Sequence, residues 1–158
     1  MMSSLHAALP RRHVLTLPTD PSAVRLARET AERALAEWGI GMRHAVVGPA
    51  LLILAELVTN AVRHAAVLSP QVTVIYAAGP DVLAFAVHDR HPYRPPLDGD
   101  AFATWTGGLG IVMELVRDLD GTATVRPDAD SGGKSIWITL PFRSSDPTSH
   151  AHQEADRP

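Results

Sequence analysis

"PALLILAELVTNAVRHAAVL", residues 49–68, is the stretch that decides how the chain is read. Apolar residues cover nearly the whole circumference at helical spacing, Pro49 stands near the start, and Ser69-Pro70 lies just beyond the end. The pattern predicts one buried helix. Glu56, Asn60 and His64 interrupt it at steps of four. At about 100° per residue, positions four apart drift by only about 40°, so the three form one polar stripe, with Arg63 beside it. A buried helix must turn such a stripe toward something that satisfies it. Two accounts follow from the residues. In one, the groups hydrogen-bond to neighbouring loops or reach water at the helix edge, as buried polar groups ordinarily do. In the other they line a phosphate site: Asn60 offers a neutral hard oxygen to Mg²⁺, Glu56 takes a proton from an attacking hydroxyl, and His64 or Arg63 faces the polyphosphate. The helix alone does not choose between them.

Working outward, residues 1–10 read as a flexible leader and "RHVLTLP" as a first strand ended by Pro18. In "TDPSAVRLARETAERALAEWG", Asp20 is a helix N-cap and Pro21 the first helical residue; Val24, Ala27, Ala31, Leu35 and Trp38 mark the buried face, and Gly39 stops the helix. Its charged opposite face is expected to be solvated. After residue 70 the period changes from helical to alternating. "QVTVIYAAGPDVLAFAVHD" predicts a hairpin turning at Gly79-Pro80. Residues 90–110 hold glycines and prolines without apolar period and read as a long loop, of the kind that is usually functional or disordered. "IVMELVRDL" predicts a third helix closed by Asp120-Gly121, and "TATVRPDADSGGKSIWITLPF" a second hairpin. Residues 143–158 are polar and aperiodic, expected to be disordered. Strands joined mainly by hairpins, with helices in the gaps, predict an α+β fold: a two-layer α/β sandwich over residues 11–142, its mixed sheet carrying the helices on one face.

Bulk properties exclude several function classes. A chain of 158 residues suits one domain, and 46% apolar with 20% charged residues is the balance of a soluble globular protein. A net charge of -3 with no basic, aromatic-interleaved cluster argues against nucleic acid. The absence of cysteine removes disulfides, thiolate catalysis and thiolate zinc sites. No segment has the length of a signal or a membrane span, so the expected location is the cytoplasm, with no membrane partner.

Two further segments bear on the helix. "FAVHDR" sets Asp89 at the end of an apolar strand, where a carboxylate can accept a hydrogen bond from an exocyclic amine such as that of adenine, or can simply cap a turn. In "TGGLGIV", Gly107, Gly108 and Gly110 lead into a helix whose open N–H groups and dipole favour anions such as phosphate. Neighbouring patterns fail: Met113 stands where a dinucleotide fingerprint needs glycine. "DADSGGKS" lacks the first glycine of a P-loop and precedes a strand, so it reads as a hairpin turn. His88 and His91, and His150 and His152, lack further ligands at metal-binding spacing and read as surface histidines.

Taken together, E-x-x-x-N on a helix, a strand-terminal Asp in "VHDRHP" and a Gly-rich "GGLGIV" opening a helix resemble the GHKL (histidine kinase-like) ATPases of the Bergerat fold. The order and spacing are most similar to the small anti-sigma factor serine kinases of the RsbW type. "ELVTNAVRHA" is similar to that family's N box, and the other two segments to its Gly boxes. The resemblance implies ATP and Mg²⁺ as cofactors, Glu56 as general base, Asn60 as Mg²⁺ ligand, Asp89 as adenine reader, and Gly108 and Gly110 as lid glycines. Ser135, in "GKSIW", matches a place where the family often has a hydroxyl near that Asp. His91 stands where many members have glycine, and Trp105 precedes the lid glycines. As partners the resemblance implies a sigma factor and an anti-anti-sigma antagonist, which the chain phosphorylates on serine, and it implies a homodimer. The alternative expectation is a non-catalytic ATP-binding module that regulates a partner by sequestration. A histidine kinase proper would need a phosphoacceptor helix upstream, and a stand-alone ATP hydrolase a second domain.

Overall fold

A computed structural model of the chain describes residues 9–93 and 107–142. In chain order the elements are β1 (Arg11–Pro18), α1 (Ser22–Glu37), α2 (Val47–Ala65), β2 (Gln71–Ala78), β3 (Val82–Asp89), α3 (Gly107–Asp118), β4 (Thr122–Pro127) and β5 (Lys134–Pro141). Trp105, His150, His152 and the expected tail lie outside the described residues.

Local chemistry sets the ends of α1. The Asp20 carboxylate accepts hydrogen bonds from the Ser22 N–H at 2.9 Å and from the Ser22 hydroxyl, capping the first turn. At the other end Gly39 takes φ +76°, Ile40 N–H donates to Leu35 O at 2.9 Å and Gly39 N–H to Ala36 O at 3.1 Å. This is the Schellman closure that a left-handed glycine permits. Ala23, Ala27, Ala31 and Leu35 are buried, while Arg25–Glu29 and Arg28–Glu32 pair on the exposed face.

The α+β two-layer architecture is the expected one, but the sheet is not mixed. Its order is β1-β2-β3-β5-β4, and every neighbouring pair is antiparallel. Between β1 and β2 the chain passes through two helices, an even number, and so returns reversed. The crossover from β3 through α3 to β4 does join parallel strands, but β5 inserts between them. No parallel ladder forms, and this is what the expectation of a mixed sheet missed.

Leu83, Phe85 and Val87 of β3 and Ile136, Ile138 and Leu140 of β5 point into the helix layer, where Ile53, Leu54, Leu57 and Val58 of α2 meet them. The reverse face of the sheet carries a smaller apolar set, Ala77, Ala84, Ala86 and Trp137. Leu9, expected to belong to a flexible leader, packs against that set. Among the described residues no helix is long and apolar enough to cross a membrane.

Candidate functional site

An apolar crevice of about 300 Å³, open space at its mouth included, lies between α1, α2 and the sheet. Ala50, Leu51 and Leu54 line it from α2, and Leu83 and Phe85 from β3. It holds no chemistry, but it fixes how α2 lies on β3: the first half of the helix covers the beginning of the strand. Both elements run the same way. A helix rises about 1.5 Å per residue and a strand about 3.3 Å, so Glu56 to His64 extend over the second half of β3, toward Asp89.

α3 is oriented by its far end. Gly121 N–H donates to Val116 O at 2.8 Å, and β4 starts there with Thr122 opposite Thr139, close to the end of β5. The first turn of α3 therefore lies where β3 ends and β5 begins. Gly107, Gly108 and Gly110 belong to that turn, whereas the sequence suggested that they precede the helix. The reason is Leu109, fully buried with Val112 and Val116, which carries the apolar period back past Ile111. The first four N–H groups of a helix lack acceptors within it. In α3 three of those four residues are glycines, so little side-chain bulk screens the open amides.

At the end of β3, Asp89 faces the helix layer in phase with Phe85 and Val87, and it is 5% exposed. Its Oδ1 accepts hydrogen bonds from Lys134 Nζ at 2.8 Å and from the His91 N–H at 2.9 Å. Lys134 Nζ also donates to His91 O at 3.2 Å. Among the described residues no group donates to Oδ2. Lys134 went unnoticed in the sequence, yet a signal for it exists. It lies two residues before Ile136 in the alternation Ile136, Ile138, Leu140, a charged residue in phase with a buried face.

Ser135, expected beside Asp89, is placed elsewhere. It pairs in register with His88, whereas Asp89 pairs with Lys134. Successive strand residues point to opposite faces, so Ser135 lies on the reverse of the sheet and the ammonium of Lys134 stands where a hydroxyl was expected.

The chain around Asp89 is tied down on all sides. The buried Ser69 hydroxyl accepts the Arg90 N–H at 2.9 Å and donates to Gln71 O at 2.7 Å. On the reverse face His88 Nε2 lies 2.9 Å from Asp128 Oδ2, so this half-buried histidine is not a plain surface residue. Arg90 donates to Asp128 at 2.6 Å and to Asp130 at 3.0 Å. Hydrogen bonds from Arg90, then from the Gly132 N–H, hold the Asp130 carboxyl down at about 2. For Asp128, partial burial raises the pKa, but the bonds from His88 and Arg90 together outweigh it and the net shift is downward. The same two carboxylates hold the Arg90 guanidinium protonated. A Cβ on Gly133 would stand 2.5 Å from Asp89 O and 2.6 Å from Asp128 Oδ2, so glycine is required where the second hairpin meets residue 89.

Of the polar stripe on α2, Glu56 and Asn60 are half-buried and have no protein partner among the described residues, while Arg63 and His64 are exposed. The stripe emerges into solvent over its last turn instead of facing the core throughout. Glu56 and Asn60 thus keep side-chain polar atoms that no described protein group engages. A neutral amide oxygen with no competing protein donor, close to a carboxylate, fits a hard divalent cation that takes its other ligands from water and phosphate.

Comparison with known proteins gives the family. The model of the histidine kinase-, DNA gyrase B-, and HSP90-like ATPase family matches residues 47–144. No curated protein matches the chain. Among solved structures, the RsbU and RsbW domains of Rv1364c from Mycobacterium tuberculosis are similar at 24% identity and a TM-score of 0.56, over 84% of this chain and 33% of that one. The histidine kinase domain of the Erythrobacter litoralis EL346 blue-light activated histidine kinase is similar at 22% identity and a TM-score of 0.42, over 61% and 44%. This chain therefore spans less than half the length of either structure, and the first likeness is one of fold.

Proposed function

We infer the function from the family: this chain belongs to the histidine kinase-, DNA gyrase B-, and HSP90-like ATPases, and it acts as an ATP-binding regulatory protein. In its finer form the reading is a cytoplasmic, homodimeric anti-sigma factor that binds a sigma factor and phosphorylates a serine of an anti-anti-sigma antagonist. The observation that carries it is convergence. It is supported by strand register and helix direction, which send Glu56 and Asn60 on α2, the end of β3 with its buried Asp89, and the glycine-opened first turn of α3 toward one end of the sheet.

Each group has a task that its chemistry suits. Asp89 Oδ2 accepts the exocyclic amine of adenine. The amides of Gly107, Gly108 and Gly110 donate to phosphate oxygens, helped by the positive end of the helix dipole. Asn60 is the protein ligand for Mg²⁺, and the exposed Arg63 and His64 add donors beside the polyphosphate. ATP, when bound with Mg²⁺, supplies the phosphoryl group and a metal charge on its oxygens. Glu56 would accept the proton of the substrate serine as its oxygen bonds to the γ-phosphorus and the bond from that phosphorus to ADP, the leaving group, breaks.

The test is phosphoryl transfer from labelled ATP to the cognate antagonist. Glu56→Ala should lower the transfer rate by about a hundredfold or more, the scale of a general base, while ATP and sigma-factor binding persist. If the wild-type protein binds ATP and transfers nothing, kinase activity is ruled out and regulation is by sequestration. If it does not bind ATP, the whole reading fails.

A further inference from the structure

We propose that Lys134 is a base-reading residue, the donor to N1 of adenine, which makes the Asp89–Lys134 pair a two-point reader of the purine edge. The proposal rests on the ATP-binding reading and adds to it a specificity determinant. An adenine whose 6-amino group donates to Asp89 Oδ2 presents N1, an acceptor, one position along the same edge. The donor available there is the Lys134 ammonium. It is held 2.8 Å from Oδ1 of the same carboxylate and 3.2 Å from His91 O, with its side chain 7% exposed. An ammonium carries three N–H groups. Among the described residues two are engaged, by Asp89 and His91, and the third is left for the base.

The arrangement is built rather than incidental. The His91 N–H shares Oδ1 with Lys134, so both fixed bonds fall on one oxygen and, among the described residues, the other stays open. Ser69 fixes the backbone at residue 90, and Gly133 lets the start of β5 approach the residue 89 carbonyl. Lys134 therefore reaches the carboxylate from a fixed backbone position. A purine that carries a 6-oxo group and N1–H offers the reverse pattern: its carbonyl meets the Asp89 carboxylate and its N1–H meets an ammonium. Guanine and hypoxanthine are rejected at two points instead of one.

The test is a thermodynamic cycle between the residue and the base atom, using ATP, 1-deaza-ATP, ITP and GTP titrated calorimetrically against the full chain. In the wild-type protein 1-deaza-ATP, which lacks the N1 acceptor, should bind about tenfold or more weaker than ATP, the scale of a hydrogen bond to a charged group. ITP and GTP should bind weaker still. Lys134→Met should weaken ATP by a similar factor and make it equal to 1-deaza-ATP. Lys134→Gln, which keeps a neutral donor, should recover part of the difference. Equal wild-type affinities for ATP and 1-deaza-ATP overturn the proposal, and that measurement does not depend on any variant folding. An unchanged ATP to 1-deaza-ATP ratio in a folded Lys134→Met protein also overturns it. Neither outcome touches ATP binding itself, whereas failure of every nucleotide to bind removes the functional reading beneath the proposal.

Discussion

Asp89 and Lys134 are each nearly sealed from solvent, with side chains 6% and 7% exposed, and each is the other's counter-charge. Breaking a buried ion pair by removing one partner typically costs about 3–5 kcal/mol, because an uncompensated charge is left behind. Asp89→Asn should therefore lower the denaturant midpoint severely, and Asp89→Asn with Lys134→Met should recover most of the loss. The double variant is also the cleaner probe of the base site, since the single one mixes lost recognition with lost stability. A second residue-scale expectation concerns acid. Asp130 has its pKa lowered to about 2 from 3.8, first by Arg90 and then by the Gly132 N–H. A depressed folded-state pKa stabilises above the unfolded value, and the contribution is lost as pH falls from about 4 through about 2. A carboxyl NMR titration should give Asp130 a midpoint near 2, and Arg90→Ala should move it toward 3.8. A midpoint unmoved by the variant would show that the pair between Arg90 and the hairpin does not form in solution. What the sequence made legible at this scale was Asp89, because a lone acid ending an apolar strand stands out. Lys134 is not legible, because "GGKS" also matches part of a P-loop, and one step of strand alternation sets Lys134 and not Ser135 on the face of Asp89.

Elements were legible where caps and period agreed. The helix from residue 22 was bounded correctly because Asp20 and Gly39 are chemical stops, each acting through hydrogen bonds now visible. The third helix begins earlier than its glycines suggest, because buried Leu109 extends its apolar period through them. Two glycine substitutions separate backbone from contact effects. At Gly39 a Cβ would meet nothing within 4 Å, so only its φ of +76° opposes a side chain. Gly39→Ala should cost about 1–2 kcal/mol, the penalty of the left-handed region, seen as a shifted midpoint with the nucleotide site intact. At Gly133 a Cβ would collide with Asp89 O at 2.5 Å, and the backbone cannot swing aside as a side chain would. Gly133→Ala should therefore displace the second hairpin from residue 89 and weaken ATP binding more than Gly39→Ala does at equal loss of stability. Equal effects on binding would deny the hairpin a part in shaping the site.

At the scale of the whole molecule, the site is a product of topology. Two helices between β1 and β2 set α2 running with β3, and the crossover from β3 sends α3 back from the same end. Segments roughly twenty to fifty residues apart in the chain thus reach one end of one sheet. The sequence could supply the parts, because Glu56, Asn60, Asp89 and the glycines each carry a local signature. It could not supply strand order, since nothing local tells β5 to insert beside β3. A site assembled this way exists only in the folded chain, so its ligand binds the native state and not the unfolded one. Linkage then requires ATP with Mg²⁺ at one hundred times its dissociation constant to add about 2.7 kcal/mol to the unfolding free energy. The gain should appear in one cooperative transition, because α2 and the central strands form the core itself. Asn60→Ala should reduce the Mg²⁺-dependent part of the gain and leave the smaller gain from ATP alone. Stabilisation confined to a partial, low-amplitude transition would mean that the ligand orders only a local segment and does not join all three elements.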